Sequence, residues 1–496
     1  MEQQDNVTMP LDAKACYAAL RTHDARFDGR FFVGVSSTGI YCRPVCRVKL
    51  PKEENCTFFV SAAAAEAAGY RPCLKCRPEL APGLAPAEAP ARLARKAALL
   101  MEEDCLAESN LADLAERLGV TDRHLRRVFL AEYGVSPGQY LQTRRLLLAK
   151  NLLTDTNLSV TETALTAGFG SVRRFNTVFK ENYRLTPTKL RQAGNNGPEN
   201  GGGITLSIGY RPPYAWDKLI SFLAGRTIPG VESVEEEVYR RTVNLPKGDG
   251  ICRGWISVAN KPKKNALAVT AAPSLLPVLP RVLARVRHLF DADCQPEEIY
   301  EKLLIMDEIA PGMCVPGLRL PGCFDPFEMT VRAILGQQVT VKAARTLAQR
   351  FAAAFGTAID TPFADLNVTF PTPEMICRLE GPVENHLGPL GITGARARAI
   401  YALAGAMTSG AVSFAPGADP EREMEKLLQL PGFGPWTVHY VGMRAFGWPD
   451  AFPHTDYGVK KALTGKTPRE ILEMAQAWRP WRSYATINLW NSLAQK

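Results

Sequence analysis

A multidomain α+β protein is the fold class this sequence predicts, and three observations predict it. At about 100 to 200 residues per domain, 496 residues exceed what one hydrophobic core serves. Two short-spaced cysteine pairs near the start point to a small zinc domain. An internal repeat displaced by 50 residues sits in helical patterning, which points to a tandem helix-turn-helix all-α domain. A small antiparallel-sheet domain and a mainly α last third complete the order. With 46% hydrophobic and 22% charged residues, the composition is globular, which excludes collagenous, disordered and membrane classes. Fifty-nine Lys and Arg against 50 Asp and Glu leave a net charge of +9, which permits a polyanionic partner. Met1-Glu2-Gln3-Gln4-Asp5 lacks the basic and apolar regions of a signal peptide. The most apolar stretch, 266–286, is broken by Pro273, Pro277, Pro280 and two arginines. The expectation is a cytoplasmic protein with no membrane partner, whose twelve cysteines serve as thiols or metal ligands.

Each element follows from local chemistry. In domain 1–85, Cys42-Arg43-Pro44-Val45-Cys46 and Cys73-Leu74-Lys75-Cys76 are 26 residues apart, so each turn can present two thiolates to one tetrahedral zinc. Spacing alone also fits a closed zinc that only holds a small domain together. Residues 41–77 carry seven Lys or Arg against three Glu, an electropositive setting suited to a phosphodiester backbone. Repeated prolines at 81–90 forbid a continuous helix and end this domain. In domain 91–192, Val128, Phe129, Tyr133 and Pro137 recur as Val178, Phe179, Tyr183 and Pro187. Leu111, Leu114, Ala115 and Leu118 form a helical stripe, Gly119 allows a turn, and Thr121 caps a helix holding Arg123, Arg126 and Arg127. Ser171 caps the matching helix with Arg173, Arg174 and Lys180. Basic helix faces are common as solvated surfaces, so DNA is one of two readings of these arginines.

Turn formers at 193–203 give a flexible linker. Domain 204–290 opens on Ile204-Thr205-Leu206-Ser207-Ile208, and Trp255–Val258 is expected to pair with Leu267–Thr270 across a Pro-Lys-Lys turn. Domain 291–496 is helical, with Asp325-Pro326-Phe327-Glu328 predicting a capping box. Leu430-Pro431-Gly432-Phe433-Gly434-Pro435-Trp436 is a glycine turn whose N-H groups, Gly432 and Gly434 among them, can face one phosphate, or simply a turn between helices. Twenty residues beyond Trp436 stands Asp456, which in isolation reads as a helix cap. The six histidines show no paired metal spacing.

Residues 38–47, Thr-Gly-Ile-Tyr-Cys-Arg-Pro-Val-Cys-Arg, with 68–78, Ala-Gly-Tyr-Arg-Pro-Cys-Leu-Lys-Cys-Arg-Pro, closely resemble the methylphosphotriester-sensing domain of Ada adaptive-response proteins. The resemblance implies Zn²⁺ held by Cys42, Cys46, Cys73 and Cys76, with Cys42 as the acceptor of a methyl group from a damaged DNA phosphate. Four thiolates on Zn²⁺ leave a net charge near −2, and methylating one reduces repulsion from DNA. Arg43, Arg47 and Arg71 are the DNA contacts expected beside it. Ala167-Gly168-Phe169, Phe175, Val178-Phe179-Lys180 and Leu185-Thr186-Pro187 resemble the AraC-type DNA-binding domain. Arg123, Arg126, Arg173 and Arg174 then become candidate DNA contacts, RNA polymerase an implied partner, and a monomer the default, because two reading helices lie on one chain.

The glycine turn together with Pro453-His454-Thr455-Asp456-Tyr457 resembles the helix-hairpin-helix DNA glycosylases. Residues 327–344 and 478–485 narrow this to the bacterial 3-methyladenine DNA glycosylase II type, making the last domain an all-α helix-hairpin-helix glycosylase domain. The resemblance implies that Asp456 is the catalytic carboxylate, that Trp436, Tyr440 and Trp490 line a pocket for a flipped base, and that double-stranded DNA is the partner. Stacking is worth about 1 to 3 kcal/mol per base. Relatives that also cut the strand carry a lysine where Trp436 stands, so a monofunctional glycosylase is expected. No cysteine follows Cys377, which leaves no ligands for an iron-sulfur cluster. Gln338 sits where the compared relative places an apolar wedge. The Pro-Cys-His-Arg acceptor motif of guanine methyltransferases is absent. The expected function is excision of 3-methyladenine- and 7-methylguanine-type bases joined to methyl-triggered transcriptional regulation. The alternatives are a purely regulatory protein with a silent glycosylase half, and a constitutive glycosylase with a structural zinc.

Overall fold

The computed structural model describes residues 12–82, 92–103, 111–193, 202–248 and 250–494. Its contacts divide the chain into two compact units, Met1–Pro212 with Lys261–Thr270 and Leu276–Ala284, and Pro213–Asn260 with Ala271–Leu275 and Arg285–Lys496. The centres of the proline-rich break and of the glycine-rich linker, 83–91 and 194–201, lie outside the described residues.

In the first unit, strand β1 (Phe32–Val35) pairs antiparallel with β2 (Ile40–Cys42) and with β3 (Cys56–Phe59). The short strand β4 (Arg71–Pro72) joins β2 in parallel, Ile40 opposite Arg71 and Tyr41 opposite Pro72. That register sets Cys42, the last residue of β2, beside Cys73, the first residue after β4, and the Cys73 N-H donates to the Tyr41 carbonyl at 3.0 Å. Sequence neighbours of each pair therefore meet through sheet pairing rather than through one continuous loop. Strand β5 (Ile204–Gly209) falls where the alternation after the linker predicts it.

The helical repeat folds as the 50-residue displacement requires. Helices Leu111–Arg117 and Asp122–Tyr133 make the first helix-turn-helix, with Gly119 at φ +66° and the Thr121 side chain capping the His124 N-H. Helices Val160–Thr166 and Val172–Tyr183 make the second, with Ser171 capping Arg174. Leu125 and Phe129 in one, and Phe175 and Phe179 in the other, are fully buried, and such burial stabilises by about 1.5 to 3 kcal/mol per side chain. The 19-residue helix Pro137–Asp155, started by a Ser136 capping box, connects the two.

This connecting helix is also bonded to the cysteine module. Glu66 accepts from Tyr41 Oη at 3.0 Å on one side and from Thr143 Oγ1 at 2.9 Å on the other. Lys150 Nζ meets Glu79 at 2.6 Å with both side chains almost fully buried, and Arg77 reaches Glu79 and Asp155 at 2.9 and 2.7 Å. Burial would raise the Glu79 carboxyl, but Lys150 and Arg77 more than offset it and hold the group below its ordinary range. Lys150→Met should therefore destabilise this unit by roughly 3 kcal/mol, Arg77 sparing part of the loss. Because Glu79 is depressed, the lost stability is present at neutral pH and vanishes in the wild type as pH falls below the ordinary carboxylate range. Denaturant titration of both proteins across pH checks this.

In the second unit, β6 (Glu232–Glu235), β7 (Val238–Lys247) and β8 (Gly250–Lys261) form an antiparallel meander. The sequence pattern marks part of β8 but neither β6 nor β7. The β6–β7 turn is Glu236-Glu237, both at positive φ, in place of the Asn-Gly type that signals such a hairpin. Asp325 caps the helix Pro326–Leu335 as expected. The capping box, however, is only half formed. Glu328 points inward to Arg241 at 2.6 Å and Arg332 at 3.1 Å, and Arg332 continues to Glu232 at 2.8 Å. This buried ion network ties the meander to a helical core of Phe327, Ile334, Phe351, Ile400, Leu403 and Val441. Among the described residues no helix is long and apolar enough to cross a membrane.

Candidate functional sites

Three sets of side chains carry chemistry, and the first is the cysteine cluster. The Sγ atoms of Cys42, Cys46, Cys73 and Cys76 all lie within 4.8 Å of one another, and Cys46 and Cys73 are 4.0 Å apart. Thiolates at about 2.3 Å around one zinc have sulfur–sulfur edges of roughly 3.8 Å, so the four need close in only slightly to hold that ion. The Arg43 N-H donates to Cys76 Sγ at 3.4 Å, as main-chain donors do around metal thiolates. Cys42, Cys46 and Cys73 are buried and Cys76 is half-buried.

Arg43 corrects an expectation. Its side chain, only 10% exposed, pairs with Asp28 and donates to the Cys76 carbonyl at 3.0 Å, so it fastens the two cysteine turns together instead of facing DNA. Burial pulls against its charge, and Asp28 restores it. Arg71 is half-buried and lines a small cavity with Leu74, Phe179, Tyr183 and Leu190. Of the three arginines proposed there, Arg47 alone is exposed.

The second set is the pair of capped helices. Arg123, Arg126, Arg173 and Arg174 are exposed, and the two helices repeat the same burial pattern, with the aromatic side chains inward. Arg126 pairs with Asp122 at 2.8 Å on the surface, an interaction worth under about 1 kcal/mol that a phosphate can displace. Replacing Arg123 and Arg173 together by Ala should weaken DNA binding and flatten its dependence on salt, by about one unit of logarithmic slope for each phosphate the protein no longer neutralises. Titrations of the full chain at several salt concentrations measure that slope.

The third set is an aromatic cluster around one carboxylate. In the turn 430–434, Gly432 is exposed at φ +79°, where a Cβ would lie 2.9 Å from Ala399, and Gly434 precedes the helix Pro435–Arg444. That helix presents Trp436 and Tyr440 one turn apart, stacked at 5.4 Å between ring centroids, and Trp490 lies 6.1 Å from Tyr440. All three are half-buried, with Tyr440 and Trp490 packed at the edges of two hydrophobic cores.

Asp456 sits between them. Its Oδ2 accepts from Trp436 Nε1 at 2.8 Å, and its Oδ1 accepts from Trp490 Nε1 at 2.8 Å and from the N-H groups of Gly458 and Val459 at 2.8 and 3.1 Å. The cap and the pocket carboxylate are thus the same group, oriented from both sides by four donors. Gly458 is required here, because a Cβ would stand 2.7 Å from the Trp490 ring. The turn 336–340 joins this wall through Gln337, whose Nε2 donates to the Gly432 carbonyl at 2.8 Å and to Thr437 Oγ1 at 2.9 Å. It leaves Gln338 exposed with φ +54°.

Sequence reasoning missed Phe222, Arg226 and Arg444. Phe222, on the helix Trp216–Ala224, lies parallel to Trp490 at 6.1 Å, and Arg226 stands 3.7 Å from the centre of its ring. Arg444 donates to Tyr440 Oη at 3.0 Å. Burial would raise the Tyr440 phenol, yet Arg444, Arg226 and Arg332 together bring it below its ordinary value. The i, i+4 spacing of Tyr440 and Arg444 was the one local signal for any of these; Phe222 and Arg226 lie more than 200 residues away in sequence.

Four family models match in the same order. These are the metal binding domain of Ada over residues 15–79, a helix-turn-helix domain over 114–193, the AlkA N-terminal domain over 205–325, and the HhH-GPD superfamily base excision DNA repair protein over 331–477. A probable bifunctional transcriptional activator/DNA repair enzyme AlkA of Mycobacterium tuberculosis is 36% identical over 491 residues, covering 97% of each chain. The DNA-3-methyladenine glycosylase 2 of Escherichia coli is 36% identical over 284 residues, 57% of this chain and 96% of that protein. The bifunctional transcriptional activator/DNA repair enzyme Ada of Escherichia coli is 32% identical over 180 residues, 36% of this chain and 49% of that one.

Proposed function

Since this chain belongs to the family of AlkA-type bifunctional transcriptional activator/DNA repair enzymes, we infer how its own residues divide the work. The protein is a DNA-3-methyladenine glycosylase joined to a zinc-holding methyl acceptor and a DNA-binding regulator. The observation that carries the site assignment is the Asp456 carboxylate held between the indole N-H groups of Trp436 and Trp490.

In this reading, the Gly432–Gly434 turn grips a DNA phosphate and Gln338 fills the gap left by the displaced base. Trp436, Tyr440 and Trp490 receive the alkylated base. As the C1′–N bond breaks, its electron pair leaves with the base and positive charge develops on the sugar, which Asp456 stabilises while water adds to C1′. The product is an abasic site. With Trp436 where a lysine nucleophile would stand, no strand cleavage follows.

Cys42 is the methyl acceptor in this assignment. Its sulfur attacks the methyl carbon of a phosphotriester, the C–O bond breaks, and a phosphodiester anion leaves as the S–CH₃ bond forms. Cys42, Cys46, Cys73 and Cys76 would hold the zinc, which when bound would keep these sulfurs in the thiolate form. The helices bearing Arg123, Arg126, Arg173 and Arg174 bind the operator, with Arg47 and Arg71 as additional DNA contacts. We take residues 1–85, 91–192, 204–290 and 291–496 as the working domains. A monomer in the cytoplasm that recruits RNA polymerase completes the proposal.

Two measurements on the full chain test it. Chromatography of duplex DNA treated with a methylating agent should reveal released 3-methyladenine or 7-methylguanine. Peptide mass mapping after exposure to methylphosphotriester DNA should place one added methyl on Cys42. A methyl on the more exposed Cys76 would move the acceptor role there, and no released base would leave a regulator alone.

A further inference from the structure

We propose that Arg226 and Arg444 act as an electrostatic push on the base, raising its rate of departure by holding positive charge against the Phe222 and Tyr440 rings. The proposal rests on the pocket being the base-excision site described above. Arg226 lies 3.7 Å from the centre of Phe222, whose ring runs parallel to Trp490 within 8°. Arg444 lies 5.0 Å from the centre of Phe222 and 5.7 Å from that of Tyr440. Both guanidinium groups therefore sit against rings that wall the pocket.

Three features hold these charges in place with the Tyr440 phenol, and no carboxylate among the described residues, as their acidic neighbour. Arg444 is 2% exposed, and its Nε and Nη2 donate to the carbonyls of Pro321 and Gly322. Arg226 donates to the Phe222 carbonyl at 3.2 Å, and its own carbonyl accepts from Arg332. Arg332 is neutralised by Glu232 and Glu328, whereas neither Arg226 nor Arg444 has a carboxylate within ion-pair distance among the described residues. Burial pushes the Arg226 guanidinium below its ordinary value, the Tyr440 phenol opposes that shift, and Arg444 and Arg332 add to it.

The electrostatic consequence has a definite sign. A purine methylated at N3 or N7 is cationic while bonded to the sugar and becomes neutral as the bond's electron pair moves onto it. The guanidinium groups repel the bound base more than the departing one, while the charge that leaves the base appears on the sugar beside Asp456. They therefore raise the energy of the bound state relative to the transition state. Removing one should tighten ground-state binding of a cationic base and slow its release together. A base of the same shape without the charge should bind as before.

The test uses the full chain with Arg226→Gln, Arg226→Met and Arg226→Lys, and two duplexes, one containing 7-methylguanine and one containing its neutral isostere 7-methyl-7-deazaguanine. Single-turnover kinetics give rate and half-saturation on the first, and equilibrium titration gives affinity for the second. Both neutral variants should lower the 7-methylguanine rate and half-saturation on the order of tenfold, leave affinity for the isostere unchanged, and differ from a wild-type-like Arg226→Lys. Weaker binding of both duplexes by the neutral variants, or unchanged kinetics, would overturn the proposal in favour of a packing role. Absence of base release by the wild type would overturn the base-excision reading itself and this inference with it.

Discussion

Asp456→Asn is expected to slow release of methylated bases on the order of 10²- to 10³-fold, the scale on which removing one fixed electrostatic stabiliser acts. The substitution is informative because it leaves most of the local structure intact. The amide oxygen can keep the Oδ1 position, where it accepts from Gly458, Val459 and Trp490, so the start of the helix Tyr457–Ala462 stays capped. The amide nitrogen must then face Trp436 Nε1, placing two donors together where a carboxylate oxygen accepted at 2.8 Å. That mismatch costs about 1 to 3 kcal/mol locally, well within what a buried domain core tolerates. Base release measured chromatographically should fall, while circular dichroism, zinc content and operator binding remain those of the wild type.

Removal of zinc should have the largest effect on the first unit. Four sulfurs within 4.8 Å of one another are positioned to be tied together by the ion, and as free thiols they lose that tie. Such sites supply on the order of 10 kcal/mol of folding free energy, comparable to the whole stability of a domain. Chelation, or Cys73→Ala, should unfold the β1–β4 sheet, because the Cys73 sulfur just after β4 and the Cys42 sulfur at the end of β2 are tied only through the shared ion, and two paired residues of β4 are too few to hold the sheet without it. The loss should spread to the helix-turn-helix pair, which relies on Ser61, Glu66 and Glu79 where the two modules meet. The second unit has its own core, so base release should persist after chelation. Differential scanning calorimetry with parallel activity and DNA-binding assays separates the two responses.

The features legible in the sequence are those whose partners lie close along the chain or recur at a fixed interval. The cysteine turns announce themselves by spacing, and the helix-turn-helix pair by Phe129 and Phe179, Tyr133 and Tyr183. Asp456 could be singled out only in combination with the glycine turn, because its cap geometry is common to many helices. Arg43 was misassigned because counting charges on a segment does not distinguish an exposed guanidinium from one locked to Asp28. Glu328 fitted a capping box locally, yet Arg241 and Arg332 outcompete the helix N-terminus for it. Phe222 lies on an apolar helix and Arg226 just past its end, more than 200 residues before Asp456, and nothing in their neighbourhood of sequence points to a carboxylate at position 456.

The helix Pro137–Asp155 has a consequence for the DNA that the protein reads. At 1.5 Å per residue, its 19 residues make a rod of about 28 Å, close to the roughly 34 Å of one duplex turn. A rigid rod between two reading heads makes recognition a matter of helical phase as well as of base identity. Moving the two halves of an operator apart by about five base pairs would carry one half to the far side of the duplex, beyond the reach of a second head that cannot swing. An insertion of a full turn would restore the face but not the distance.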